Sequence, residues 1–452
     1  MSIRPTDIQV VDVSFSYKDF SYRTPIKFGG VALDRCTLLD VDVTVETAAG
    51  KVARGFGSMP LGNVWSFPSR VLKYDETLGA MKALAEEMAQ LYRGYETAGH
   101  PIDIFHALEP EFFRAAQKVS QTRRLAEPIP KLCALVVASP FDAAVHDAFG
   151  KTHDLNCYRT YGPKFLHQDL GHYLGSEFRG DRLERYVLTE PKPAMPLYHL
   201  VGALDPIESS DVKERLDDGL PNTLPEWIHA DGLTHLKIKL NGDDLRWDVQ
   251  RVVHVDRTTA ETQRQRGVER WHYSLDFNER CSSVDYLLEF LAKVNEQTPA
   301  GFERIQYIEQ PTARDLAANR HNPMHKAAKI RPIVIDESLI DLESLRLAQE
   351  LGYTGAALKA CKGQSGSLLM AAAAQKAGMF LCVQDLTCPG ASLIHSAGLA
   401  AHIPGVAAIE SNARQYCPAA NAPWAERFPG IFRIKDGTMK TGELTGLGLG
   451  TV

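Results

Sequence analysis

What the sequence lacks narrows its function before any motif is considered. No long basic run concentrates positive charge: 50 Lys and Arg face 56 Asp and Glu over 452 residues, a formal net charge of -6. Polyanion binding needs clustered cations, so nucleic acid is not an expected partner. No Gly-x-Gly-x-x-Gly follows a strand and opens a helix, and no complete Walker-type Gly-x-x-x-x-Gly-Lys-Ser/Thr is present. The usual dinucleotide and nucleotide-phosphate cradles are therefore missing. The eight cysteines, Cys36, Cys133, Cys157, Cys281, Cys361, Cys382, Cys388 and Cys417, form no Cys-x-x-Cys pair and no regular disulfide spacing. In a chain with ample apolar material they are expected to be reduced and structural. Residues 1–10 lack the continuous apolar run of a signal peptide, and the apolar stretch 368–374 is broken by Gln375 and Lys376. The expectation is a soluble, cytoplasmic protein with no membrane partner.

The chain is too long for one ordinary core, and its patterning changes along the way. Residues 8–15 and 37–45 are rich in β-formers, and 55–68, with its Gly and Pro, reads as a loop. Helical periodicity follows at 78–95, 104–119 and 139–149. Residues 1–150 thus predict an α+β capping domain. Residues 163–195 read as an irregular insertion. Eight short apolar strand candidates come next, each before a helical stretch: 197–201, 236–240, 272–276, 305–309, 333–336, 356–359, 380–383 and 406–409. Eight is the number that closes a parallel barrel without a free edge, so the fold class is α/β, a (β/α)8 TIM-like barrel over 151–427. The helices at 342–351 and 367–377 stop at Gly352 and Gly378. The final segment, 428–452, is expected to return to the capping domain.

Charged residues recur at the C-terminal ends of these strands, where barrel geometry gathers them at one mouth. Lys237-Ile-Lys239 places both lysines on one side of a strand. Asp276, Glu309 and Asp336 close the next three strands, and Lys359 ends the following one. Three converging carboxylates repel unless a cation intervenes, and a hard divalent ion such as Mg²⁺ takes oxygen ligands and leaves places for substrate. Asp276, Glu309 and Asp336 are therefore the candidate metal ligands. Removing the proton next to a carboxylate puts a second negative charge on an anion, so the metal would stabilise the enediolate. Lys239 and Lys359 are the candidate bases, with Lys237 lowering the pKa of Lys239 and helping to neutralise the substrate carboxylate. Glu337 should point away from Asp336 by strand alternation and is held as a residue that orients a lysine. Asn278 is expected to bond Lys239 or substrate, Asp385 and Glu410 to serve specificity or proton relay, and Glu279 is a weaker candidate. Lys362 reads as an ordinary helix-start or loop cation, with contact to an anionic substrate as its alternative.

Together Lys237-Ile-Lys239, Leu275-Asp276-Phe-Asn278-Glu279, Tyr307-Ile-Glu309-Gln310-Pro311, Ile335-Asp336-Glu337-Ser338 and Leu358-Lys359 resemble, in order and spacing, the enolase superfamily, in its mandelate racemase and muconate-lactonising branch. The resemblance implies a metal triad at Asp276, Glu309 and Asp336, paired bases at Lys239 and Lys359, a small carboxylic acid as substrate, and a homo-oligomer. It also implies that loops of the capping domain cover the mouth, making 21–31 and 55–65 lid candidates, with Tyr22, Arg23 and Trp65 as contacts. Cys382-Val-Gln384-Asp385 lacks the His base of mandelate racemase-like members, and the insertion at 163–195 and the connection 205–234 are longer than the family plan needs. Racemisation or epimerisation, cycloisomerisation, acid-sugar dehydration by β-elimination, and a non-catalytic metal-binding barrel all remain open at this point.

Overall fold

A computed structural model of the chain describes residues 4–28 and 30–451. β1 (Ile8–Phe28) and β2 (Val31–Thr47) form a long antiparallel hairpin, and β3 (Val52–Pro60) pairs with β2. Alternation along β2 puts Leu39, Val41, Val43 and Val45 on the buried face. Three helices follow a single helical turn, α1 (Asn63–Ser66): α2 (Tyr74–Arg93), α3 (Pro101–Thr122) and α4 (Lys131–Thr152); the sheet packs chiefly on α4 and α2, and α3 lies against both of these. In α2 the buried residues Met81, Leu84, Ala85, Met88 and Tyr92 recur at helical spacing and make one apolar stripe. α4 is enclosed on every side and carries apolar residues on all its faces, with Asp142, His146 and Asp147 buried among them. It is the one helix among the described residues long and apolar enough to cross a membrane, and its apolar window is wholly buried inside the protein.

The reading of 55–68 as a loop is corrected here: 55–60 belong to β3 and 63–66 to α1. Its glycines serve packing, since a Cβ on Gly57 would lie 2.0 Å from the Pro140 carbonyl oxygen, and one on Gly55 would lie 2.1 Å from that of Ala144. The sheet can approach α4 only because these side chains are absent. Gly57→Ala is therefore expected to lower stability by roughly 1–3 kcal/mol or more through forced separation of β3 from α4. Urea denaturation checks this, and an unchanged midpoint would contradict it.

The second body is a closed ring of eight parallel strands: β4 (Met195–Val201), β5 (His235–Lys239), β6 (His272–Asp276), β7 (Ile305–Glu309), β8 (Ile333–Ile335), β9 (Gly355–Leu358), β10 (Phe380–Val383) and β11 (Val406–Glu410), with β11 pairing back to β4. The strands are short and mostly apolar because both faces are buried. Outward residues such as Ile238, Leu275, Ile308, Ile335 and Ile409 pack beneath the helices. Tyr198, Tyr307, Val334, Ala357, Cys382 and Ala408 fill the inside below the mouth. Beyond the barrel, β12 (Thr438–Met439) pairs antiparallel with β4. Residues 444–449 then reach α4 and the chain just after it. Leu449 N donates to Asp147 at 2.8 Å, and Asn156 Nδ2 donates to the Gly446 carbonyl at 2.9 Å.

The 163–195 segment, unassigned from sequence, is a brace. It buries Phe165, Leu166, Leu170, Leu174 and Phe178. Tyr173 OH donates to Asp103 of α3 at 2.5 Å, and Glu177 accepts from Lys376 on a barrel helix through its carbonyl at 2.9 Å. The brace thus holds the capping domain and the barrel to each other on one side.

Candidate active site

Strand register assembles the mouth. Lys239, Asp276 and Glu309 are paired across β5, β6 and β7, so their side chains emerge at one level. Asp336 and Lys359 follow the last residues of β8 and β9. β5 and β9 stand four strands apart in the ring of eight, which puts Lys239 and Lys359 on opposite walls. Lys239 Nζ donates to Asp276 Oδ2 and, at 3.1 Å, to Asn278 Oδ1. Lys359 Nζ lies 2.8 Å from Asp336 Oδ2. Each candidate base is therefore tied to a different carboxylate.

Lys237 sits deeper than its expected role requires. It is 1% exposed, and its ammonium donates to Glu309 at 2.9 Å, Gln384 at 2.7 Å and Glu410 at 3.0 Å, with Asp276 at 3.1 Å. Burial alone would lower its pKa, but Glu309, Glu410 and Asp276 outweigh that and raise it well above the ordinary lysine value. In this structure Lys237 is a buried cation shared by three carboxylates and the Gln384 side chain.

Two further expectations are corrected. Glu337 does not turn away: β8 ends at Ile335, so strand alternation no longer governs the next two side chains. Glu337 Oε1 accepts from Trp65 Nε1 at 3.0 Å and from Asn278 Nδ2 at 3.4 Å, and so orients these rather than a lysine directly. Lys362 is not a solvated helix-start cation. The 3-10 turn Ala360–Lys362 folds it back so that Nζ reaches Asp336 Oδ1 at 3.2 Å, and burial lowers its pKa. The spacing Lys-x-x-Lys, one helical turn, was the available signal.

The lid residues divide. Trp65 stands over Lys359 with Nζ 4.2 Å from the ring centroid, a cation–π contact supplied by the capping domain. Phe28, near the hairpin tip, lies 5.6 Å from Lys239 Nζ, and Leu386 completes an apolar cover. Neither Phe28 nor Leu386 was singled out in the sequence. Tyr22 is packed with Phe20 against Cys36, Ala413 and Cys417 rather than reaching the mouth. Arg23 faces elsewhere: it pairs with Asp218 and lines a separate groove of about 470 Å³ between the hairpin, β4 and the 205–222 connection. That groove contains none of the strand-end lysines. Glu279 likewise turns outward, held by Arg314 Nε at 2.8 Å. Trp65→Phe should keep the ring over Lys359 yet leave Glu337 without its indole donor, at a cost of roughly 1–3 kcal/mol. Thermal denaturation of the variant measures this, and an unchanged Tm would contradict the latch.

Carboxyl groups outnumber amines at the mouth. Six carboxyls, on Asp276, Glu309, Asp336, Glu337, Asp385 and Glu410, are buried with four lysines, Lys237, Lys239, Lys359 and Lys362. Asp276 and Asp336 overcome burial through their lysine partners and stay below the usual carboxylate range. Glu309 is raised well above it by burial, with Asp276 and Asp336 adding to the rise. Glu337 and Asp385 are pushed up to about 7, by burial first, then by Asp336 for the former and Glu410 for the latter. Glu309 Oε2 is buried without a hydrogen-bond partner among the described residues. Among the described residues, no three His, Cys, Asp or Glu side chains form a ready-made metal cage, because lysine ammoniums stand between the carboxylates. An unsatisfied hard oxygen within a site where carboxyls outnumber amines nevertheless fits a hard divalent cation. The backbone is also held tightly here. Asn278 has φ 44°, Glu279 φ 60° and Gln310 φ 32°, left-handed conformations just past β6 and β7.

Comparison with known proteins shows the family and the fold. Residues 221–451 match the family described as enolase C-terminal domain-like. The chain belongs to that family, and so to the enolase superfamily in its mandelate racemase/muconate lactonizing enzyme branch. Among solved structures it is similar to a muconate lactonizing enzyme from Pseudomonas fluorescens complexed with muconolactone, at 16% identity and TM-score 0.60, covering 98% of this chain and 96% of that one. It is also similar to an enolase from Bradyrhizobium complexed with magnesium and mandelic acid, at 15% identity and TM-score 0.62, covering 99% and 96%. A dipeptide epimerase from Enterococcus faecalis V583, complexed with Mg and L-Leu-L-Tyr, gives 15% identity and TM-score 0.62, covering 98% and 99%. Comparison with curated proteins finds none that matches.

Proposed function

We propose that this protein is an enzyme that removes and returns the proton next to the carboxylate of a small organic acid, acting as a racemase, epimerase or cycloisomerase. The observation that carries the reading is the placement of Lys239 and Lys359 on opposite walls of a mouth ringed by Asp276, Glu309 and Asp336. A carbon held between them presents one face to each amine, so one lysine takes a proton and the other gives one back. Asp276, Glu309 and Asp336 are the residues that would hold Mg²⁺, which when bound supplies the positive charge that offsets the second negative charge of the enediolate. Asn278 orients Lys239 through its Oδ1, and Trp65, fixed by Glu337, covers Lys359 and excludes water. Glu410 keeps Lys237 charged and in place.

Acid-sugar dehydration is the less favoured reading, because the cover formed by Phe28, Trp65 and Leu386 offers one indole N–H, already used by Glu337, to a row of hydroxyls. The eight free, buried thiols support a reducing, cytoplasmic setting, and the family plan supports a homo-oligomer. The test is exchange of the substrate α-hydrogen in D₂O over a panel of N-acyl amino acids, dipeptides, hydroxy acids and sugar acids with Mg²⁺. Exchange from both stereoisomers of an acid is expected. A 2-keto product formed only from sugar acids would overturn the preference, and no exchange with any acid would overturn the reaction class.

Metal binding has its own check. At Mg²⁺ about 100-fold above its dissociation constant the folded state gains about 2.7 kcal/mol. The Tm should rise accordingly and fall back with EDTA. Glu309→Gln should lose most of the rise, whereas an equal rise in that variant would remove Glu309 from the metal site.

A further inference from the structure

A second chemical feature lies above the barrel mouth, where two thiols from different domains meet. Cys36 is on β2 of the hairpin, and Cys417 precedes the helix Pro418–Ala425 after β11. Their sulfurs are 3.8 Å apart although the residues are 381 positions apart in sequence. Among the described hydrogen bonds none of the other six cysteines contacts a second cysteine; Cys388 meets the thioether of Met59 instead. Cys36 also lines a small cavity of about 20 Å³, with Trp65, Phe28 and Leu386 among its walls, so a molecule the size of water has a place on the Cys36 side of the pair.

We propose that Cys36 and Cys417 are an oxidation site, forming a disulfide with hydrogen peroxide that pins the hairpin to the barrel. The position of Cys417 at the start of a helix favours its thiolate, and its thiol is lowered in pKa by contact with Cys36 first and by the Ala420 N–H. The thiolate attacks one peroxide oxygen, breaking the O–O bond to give a sulfenic acid and hydroxide, which takes up the proton lost by the thiol. The Cys36 thiol then attacks the sulfenic sulfur, forming the S–S bond and expelling water. Two thiols are oxidised, one peroxide is reduced, and two waters leave.

The consequence follows from the closed mouth. The cavity among Lys237, Lys239, Asp276, Asp336 and Lys359 is about 10 Å³, room for a single water at most. A substrate can enter only if the cover opens, and Phe28 of that cover is carried by the same hairpin as Cys36. Phe20, paired with Cys36 across the hairpin, and Tyr22 both pack against the Cys36–Cys417 cluster. A covalent link there holds the cover shut. The effect on turnover rests on the reaction proposed above, but the cross-link does not.

The experiment treats the full chain with hydrogen peroxide, blocks remaining thiols and maps peptides without reduction. A Cys36–Cys417 linked peptide is expected, with a loss of two titratable thiols reversed by dithiothreitol and absent from Cys36→Ala and Cys417→Ala made separately. Oxidation of other cysteines without that peptide would overturn the site, and so would equal loss of two thiols in either folded variant. Amide hydrogen exchange over Ser21–Phe28 should slow on the order of tenfold in the linked form. Linkage with unchanged exchange would overturn the pinning while leaving the reaction class intact. In an active preparation, turnover should fall on oxidation in the parent chain and not in Cys36→Ala.

Discussion

Lys239→Ala and Lys359→Ala are each expected to lose about 10²–10⁴-fold in turnover, the usual contribution of a positioned acid or base. The two losses should differ in kind. If each amine serves one face of the carbon, Lys239→Ala stops hydrogen exchange from one stereoisomer and retains some from the other, and Lys359→Ala does the reverse. D₂O exchange followed by NMR with both isomers reads this directly. Equal loss from both isomers in only one variant would show a single base, the pattern of a cycloisomerase whose second lysine stabilises charge. Removing either amine also takes one of two lysine partners from a buried carboxylate, leaving Asp276 with Lys237 alone or Asp336 with Lys362 alone. Each variant should therefore be assayed with Mg²⁺ present, so that folding losses do not pass for lost chemistry.

Lys237→Met is expected to act mainly on stability. The ammonium serves Glu309, Glu410, Asp276 and Gln384 at once, in a place with almost no contact with solvent. Taking away one partner of a buried ionic group leaves uncompensated charge and costs about 3–5 kcal/mol. Carboxyls left behind can take up protons, so the loss should shrink at low pH. Urea denaturation at neutral and acidic pH measures both effects. A variant as stable as the parent at neutral pH would mean that Lys237 is free to serve substrate, as the sequence reading had it.

The sequence made the barrel legible because short strands covered on both faces must be apolar, and because charge at their ends cannot be explained by packing. The strands 272–276, 305–309 and 380–383 match the structure residue for residue. The same logic brought Lys239, Asp276, Glu309, Asp336 and Lys359 to one mouth. What was illegible depends on other parts of the chain. Gly55 and Gly57 look like loop residues until α4 is seen against them. Arg23 looks available until Asp218, nearly two hundred residues later, takes it. Lys362 reads as a surface cation because a 3-10 turn, not strand alternation, decides where it points. Phe28 carries no motif at all, and only the hairpin's length brings it over Lys239.

The contact between Leu449 and Asp147 has a consequence for biosynthesis. Asp147 accepts from Phe56 and Leu449 and from Lys151, so one carboxylate joins β3, α4 and the segment beyond the barrel. The two ends of the Leu449 bond are separated by 302 positions. A growing chain emerging from the ribosome exposes Asp147 long before its partner exists, and contacts so distant in sequence form late. The early domain must wait through translation of the whole barrel with that seam open, which makes this interval the time when a chaperone would have most to hold.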